Sequence, residues 1–114
     1  MEYVIKHYKK DNNSSPFEEW INHLKDCKSQ IRILLAIERM ALGNFNNCKS
    51  LGDGICELKL YFGSGYRVYF GIYNNQIIIL LCGGGDKSSQ SKDVALAKKY
   101  WNTYLESMKG NKNE

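Results

Sequence analysis

The sequence predicts an α/β (α+β) domain: a small, mainly antiparallel sheet of about four strands, a helical hairpin on one face and a C-terminal helix, in the order β-α-α-β-β-β-α. Three observations predict it. Around Gly63-Ser64-Gly65, two runs of alternating apolar and polar residues read as a hairpin closed by a three-residue loop. The run from Gln76 to Cys82 (QIIILLC) is apolar without alternation, as in a central strand covered on both faces. Upstream of both, residues 17–42 carry apolar side chains at helical spacing, with one interruption.

Taken in order, Tyr3 to Tyr8 is short, aromatic and β-branched, and reads as a strand in which His7 is a half-exposed residue rather than a general base. Lys9 to Ser14 is a polar loop. Ser15-Pro16-Phe17-Glu18 marks a helix start, with Ser15 as cap, Pro16 in the first turn and Glu18 completing a capping box. Phe17, Trp20, Ile21 and Leu24 form its core stripe, and His23 lies off it. Lys25 to Lys28 breaks the pattern, and Ser29 is placed to cap a second helix running to about Leu42. Its apolar residues cover so much of the circumference that it is expected to be the more buried of the two. Gly43 is placed as its stop.

Asn44 to Gly54 reads as a loop. Cys56 to Phe62, Tyr66 to Tyr73 and Gln76 to Cys82 are the remaining strands, the last two joined at Asn74-Asn75, residues that tolerate the positive φ of a tight turn. After the loop Gly83 to Gln90, Ser91 is placed to cap a final helix with Val94, Ala97, Trp101, Tyr104, Leu105 and Met108 as its apolar stripe. The domain spans residues 1–109, and residues 110–114 are expected to fray.

At 114 residues the chain makes one domain, and its 43% hydrophobic residues suffice for a globular core. A formal charge of +4, from 16 Lys+Arg against 12 Asp+Glu, is compatible with nucleic acid or any acidic partner and selects neither. No apolar run approaches the ~20 residues of a membrane span, and Met1 to Lys10 lacks the apolar core of a signal peptide, so the expected location is cytoplasmic. Cys27, Cys48, Cys56 and Cys82 are scattered, form no CxxC, and are expected to be free thiols with no metal. GGGDKS lacks the spacing of a P-loop, and GSGYRVYFG sits in a hairpin rather than between a strand and a helix, which excludes a dinucleotide fingerprint. No cofactor is implied.

Paired across Gly63-Ser64-Gly65, Phe62 faces Tyr66, Tyr61 faces Arg67 and Lys59 faces Tyr69. Leu58, Leu60, Phe62, Val68, Phe70 and Ile72 then share one face, and Lys59, Tyr61, Arg67 and Tyr69 share the other. Two cations interleaved with two phenols fit a polyanion with stacked bases. In the same pairing Cys82 ends near Arg67, which lets Lys87 swing back towards this face.

ELK (57–59), GSGYRVYF (63–70), LLCGGGDKSSQ (80–90) and DVALAKK (93–99), in this order and spacing, resemble the killer component of bacterial toxin–antitoxin modules. The branch is the phage-derived, HigB-like part of the RelE/ParE superfamily, and the resemblance runs from about Phe17 to Lys99. It implies a RelE-like toxin domain neutralised by a cognate helix-turn-helix antitoxin and cutting messenger RNA in the ribosomal A site. The superfamily also contains gyrase poisons, so the fold leaves the target open.

Metal-free RNA cleavage needs a base for the 2′-hydroxyl, an acid for the leaving 5′-oxygen, and positive charge on the phosphate. Arg67 is the expected phosphate clamp, because its planar fork matches two phosphate oxygens. Lys59, beside a second cation that favours the neutral amine, is a candidate base. Lys87 is placed to stabilise developing charge or donate the proton. Relatives with strong RNA-cutting activity often carry two basic residues where Glu57 and Lys59 stand, so the base is either Lys59 or Glu57. Tyr61 and Tyr69 are candidates for base stacking, and Gln90 and Lys49 for RNA contact. The alternatives are a gyrase poison of the same fold without nuclease chemistry and a non-toxic RNA-binding module.

Overall fold

The computed structural model describes the backbone of residues 2–112 and the side chains of residues 2–110. Its elements are β1 (Val4–His7), α1 (Pro16–Asn22), α2 (Cys27–Ala41), β2 (Cys48–Gly52), β3 (Ile55–Lys59), β4 (Arg67–Tyr73), β5 (Ile77–Gly84), a short 3-10 turn (Lys87–Ser89) and α3 (Gln90–Lys112). The α+β class holds, but the sheet has five strands, in the order β1-β5-β4-β3-β2. It is mixed: β1 runs parallel to β5, and the other neighbours are antiparallel. Among the described residues, no helix is long and apolar enough to cross a membrane.

The extra strand, β2, lies where a loop was expected. CKSLG has neither β-branched residues nor clean alternation, because as an edge strand it half-buries only Cys48 and Leu51. Asp53 and Gly54, at φ 54° and 86°, close its hairpin with β3.

Helix starts follow local hydrogen bonding. Ser15 Oγ accepts from the Glu18 amide at 3.2 Å, as expected, but the Glu18 carboxylate turns to His7 Nδ1, 3.2 Å away. Asp26, not Ser29, caps α2, accepting from the Lys28 amide at 3.0 Å. Ser29 is instead buried, and its hydroxyl donates to Asp26 Oδ2 at 2.9 Å. Asp86 similarly displaces Ser91 as the cap, by accepting from the Ser89 amide at 3.2 Å and starting the 3-10 turn that feeds α3. The last helix runs through Lys112, and residues 113 and 114 of the expected tail lie outside the described residues.

Helices pack on both faces. On one, Phe17 and Ile21 of α1 and Ile33, Ile37 and Met40 of α2 cover Leu58, Val68, Phe70, Ile78 and Leu80. On the other, Ala97, Tyr100 and Trp101 of α3 cover Ile55, Tyr69, Ile79 and Leu81. The lack of a side chain at Gly71 matters here, since a Cβ there would come within 2.6 Å of the Trp101 ring. The expectation that α2 is the more buried helix fails. Ile33, Ile37 and Met40, at i, i+4 and i+7, face the sheet, while Ile31, Leu34 and Leu35 are exposed, because one sheet covers only one stripe of a helix.

Candidate functional site

The β3–β4 hairpin fixes the site's floor. Lys59 pairs with Arg67 and Glu57 with Tyr69, two residues away from the expected pairing. The closing loop is longer than Gly63-Ser64-Gly65, since the last rung joins the Leu60 amide to the Tyr66 carbonyl at 2.9 Å. A two-residue slip preserves the side-chain alternation, so the apolar and polar sets keep their predicted faces. The β4–β5 turn holds Asn74 and Asn75 at φ 55° and 59°, but Gln76 joins the loop and a bulge follows. Arg67 therefore faces Gly84, and Cys82 faces Tyr69.

The expected open polar face is covered. The start of α3 lies over it, and Glu57, Arg67 and Tyr69 are 1%, 5% and 0% exposed. The expected phosphate clamp Arg67, the stacking candidate Tyr69 and the candidate general base Glu57 are thus interior. Glu57 is the hub: Gln90 Nε2 donates to its Oε1 at 2.8 Å, Arg67 Nε sits 3.4 Å from Oε1, and Lys49 Nζ is 3.8 Å from Oε2. The Arg67 contact is an ion pair without hydrogen-bond alignment, and Nε has no other partner. Its Nη1 donates to the Gly65 carbonyl at 3.2 Å, which ties the guanidinium to the hairpin loop.

Beside this hub, the Tyr69 hydroxyl is buried without a hydrogen-bond partner. Burial first, then the Glu57 and Asp93 carboxylates, raise its phenol above the ordinary value and keep it neutral. Burial pushes the Cys82 thiol up to about 12, with Asp93 adding to the effect. Asp93 accepts from Ser89 Oγ at 2.8 Å and rests against Gly84, where a Cβ would collide with its carboxylate. That close approach seats the helix start on the sheet.

The site's rim is exposed. Tyr61 is 70% exposed, and Lys59 Nζ lies 5.1 Å from the centre of its ring. Lys87 is exposed on the 3-10 turn and forms no ion pair among the described residues. The glycine-rich loop does return to the hairpin, through the Ser64 hydroxyl on the Gly85 carbonyl and through Gln90 rather than Lys87. So Glu57, Lys49, Arg67 and Gln90 are in direct contact, Tyr69 lies beside them, and Lys59, Tyr61 and Lys87 stand outside. His7 is remote in the sequence of strands, paired with Glu18 beyond β5. The four cysteines are unbridged, as expected.

Sequence reasoning missed Arg32 and Arg39. They line a groove of about 460 Å³ between α2 and the end of β3, together with Leu35, Lys59, Leu60 and Phe62. The Arg32 guanidinium stacks 4.0 Å from the centre of the Phe62 ring. The available signal was the spacing of Arg32 and Arg39, seven residues apart and so on one side of a helix.

No family model matches the chain. An uncharacterized protein of Haemophilus influenzae is 46% identical over 82 residues, covering 72% of this chain and 82% of the relative.

Proposed function

This chain belongs to the family of that Haemophilus influenzae protein, and we propose that it is the toxin of a type II toxin–antitoxin pair, acting as a ribosome-dependent messenger RNA endonuclease. One observation supports the reading above the others. ELK, GYRVYF and GGDKSSQ, far apart in sequence, meet through Glu57, Arg67 and Gln90 in one hydrogen-bonded and ion-paired cluster. A buried ionic cluster contributes little net stability compared with hydrocarbon of the same volume, so its retention fits a task other than folding.

The roles shift from the sequence expectation. Arg67, held by Glu57 and the Gly65 carbonyl, positions the hairpin loop rather than gripping a phosphate in the open. Lys59 supplies charge to the scissile phosphate from the rim, Lys87 supplies charge or the proton taken up by the leaving 5′-oxygen, and Tyr61 offers its exposed ring to a base. Glu57 is the base once an RNA hydroxyl replaces the Gln90 amide on Oε1. Proton transfer needs hydrogen-bond reach, and the Gln90 contact marks a position within that reach. The expected partners are a helix-turn-helix antitoxin and messenger RNA in the ribosomal A site.

The burial of Arg67 favours a second reading, a gyrase poison of the same fold, which needs no phosphate clamp. Primer extension on message from cells expressing wild type and Lys87→Ala, with DNA supercoiling followed in parallel, separates the two. Translation-dependent cuts that fade in the variant support the nuclease. Intact message with blocked supercoiling transfers the assignment to gyrase, and normal growth at high soluble expression removes the toxin reading.

A further inference from the structure

The chain that closes the site is held differently from the helix it leads into. Val94 and Ala97 of α3 pack into the hydrocarbon on this face of the sheet. From Gly85 to Lys92 there is no apolar side chain, and none of these residues is fully buried. Their contacts are polar. Asp86 Oδ1 accepts from the Ser88 hydroxyl at 2.6 Å and from the Ser89 amide at 3.2 Å, so the 3-10 turn is braced from within. Outside the helix ladder, three side-chain hydrogen bonds fasten the turn to its surroundings. The Ser64 hydroxyl donates to the Gly85 carbonyl, Ser89 Oγ to Asp93 Oδ2 and Gln90 Nε2 to Glu57 Oε1. A segment with no buried hydrocarbon belongs to the low-stability end of a fold and opens locally.

The three glycines that lead into it differ. A Cβ at Gly83 would collide with the Trp20 ring, and one at Gly84 with the Asp93 carboxylate, so packing requires both. At Gly85 nothing lies within 4 Å of a Cβ, and its φ is not positive, so the closed form does not require glycine there. A hinge that takes a second backbone conformation does require it. The 3-10 turn meets α3 at Gln90, so the unit swings between Gly85 and the helix start.

We propose that residues 85–90 are an autoinhibitory strap. Closed, the strap lays Gln90 on the Glu57 carboxylate; swung out about Gly85, it uncovers Glu57 and Arg67. These two residues are 1% and 5% exposed, so no substrate reaches either while the strap is down. Opening breaks side-chain hydrogen bonds and leaves the hydrocarbon under Val94 and Ala97 in place. The inference deepens the nuclease reading by giving its base a resting state. It rests on that reading only for the chemistry done in the open form.

The test follows the Arg67 Nε proton by NMR, since its exchange with water requires opening, with the exposed Arg32 and Arg39 as internal references. Two variants bracket the wild type. Gln90→Ala removes a hydrogen bond to a charged group and should speed Arg67 exchange at least about tenfold. Gly85→Ala fits the closed form and should slow it about twofold to fivefold. Message cutting at matched protein levels is expected to rise in the first and fall in the second, and melting curves check that both keep the fold. Arg67 exchange that ignores Gln90→Ala, or that speeds up in Gly85→Ala, overturns the strap. Faster exchange with unchanged or weaker cutting shows that the strap does not inhibit, and overturns the proposal as well. A wild type that leaves growth and message intact removes the toxin reading, and the exchange rates then decide the strap on their own.

Discussion

On the α1/α2 side of the sheet, Leu58, Val68, Phe70, Ile78 and Leu80 meet Phe17, Ile33 and Met40 in a continuous hydrocarbon layer. On the α3 side the layer is divided. Ile55, Ile79 and Leu81 pack under Ala97 and Trp101, but the other end holds Glu57, Arg67, Tyr69, Gln90 and Asp93. Glu57, Arg67 and Tyr69 are as buried as the hydrocarbon side, although Gln90 and Asp93 beside them are only half-buried, and two polar atoms here, Arg67 Nε and Tyr69 Oη, lack a hydrogen-bond partner. Burial alone therefore does not tell a hydrocarbon core from a buried polar cluster; the hydrogen bonding does.

Substitutions on the two sides should differ in kind. The largest effect is expected on the hydrocarbon side, where Phe70→Ala removes a side chain that is 1% exposed and leaves a cavity costing about 4 kcal/mol. Arg67→Ala follows at about 3 kcal/mol, because it strands the Glu57 carboxylate in the interior. Urea denaturation measures both, and an Arg67→Ala loss within a few tenths of a kcal/mol would mean that water reaches Glu57.

Tyr69→Phe has the opposite sign. Deleting a buried hydroxyl without a partner should leave stability unchanged or raise it by about 1 kcal/mol. A clear loss of stability would show that the hydroxyl has a partner in solution. The smallest effect comes from the thiols. Burial raises Cys48 to about 11 and Cys82 to about 12 from an ordinary 9.0, whereas Cys27 is exposed. Folding keeps the half-buried Cys48 and the buried Cys82 protonated, so their contribution is complete below pH 9 and is lost as pH rises through the folded values. Melting temperature should fall between pH 9 and 11, less steeply in a Cys48→Ala variant, and Cys27 should be the first cysteine labelled by a thiol reagent. Equal labelling of all four would contradict the burial.

Much of this division was legible in the residues. The apolar set from Leu58 to Ile72, the Ser15-Pro16 helix start, the Gly43 stop and the left-handed Asn74-Asn75 turn all depend on local rules, and they stand. The pairing slipped by two residues because alternation fixes which face a side chain takes, not which partner it meets. β2 escaped because an edge strand that buries little carries little pattern. The cover over Arg67 and Tyr69 was misjudged for a different reason. QIIILLC already demanded apolar cover on both faces, and α3 was the one amphipathic element left to supply the second. Charge on the hairpin hid that inference, since a lysine, an arginine and two tyrosines read as a solvated face until a helix is laid on them.

The central claim is that the Glu57–Arg67 cluster is kept for function and not for folding. Glu57→Leu combined with Arg67→Met removes both charges and refills the space with hydrocarbon. Measured together, denaturant stability and growth arrest on expression test the claim directly. The account predicts stability within about 1 kcal/mol of wild type, or above it, and loss of growth arrest. A double variant that still arrests growth would show the cluster to be structural packing and move the activity elsewhere on the molecule.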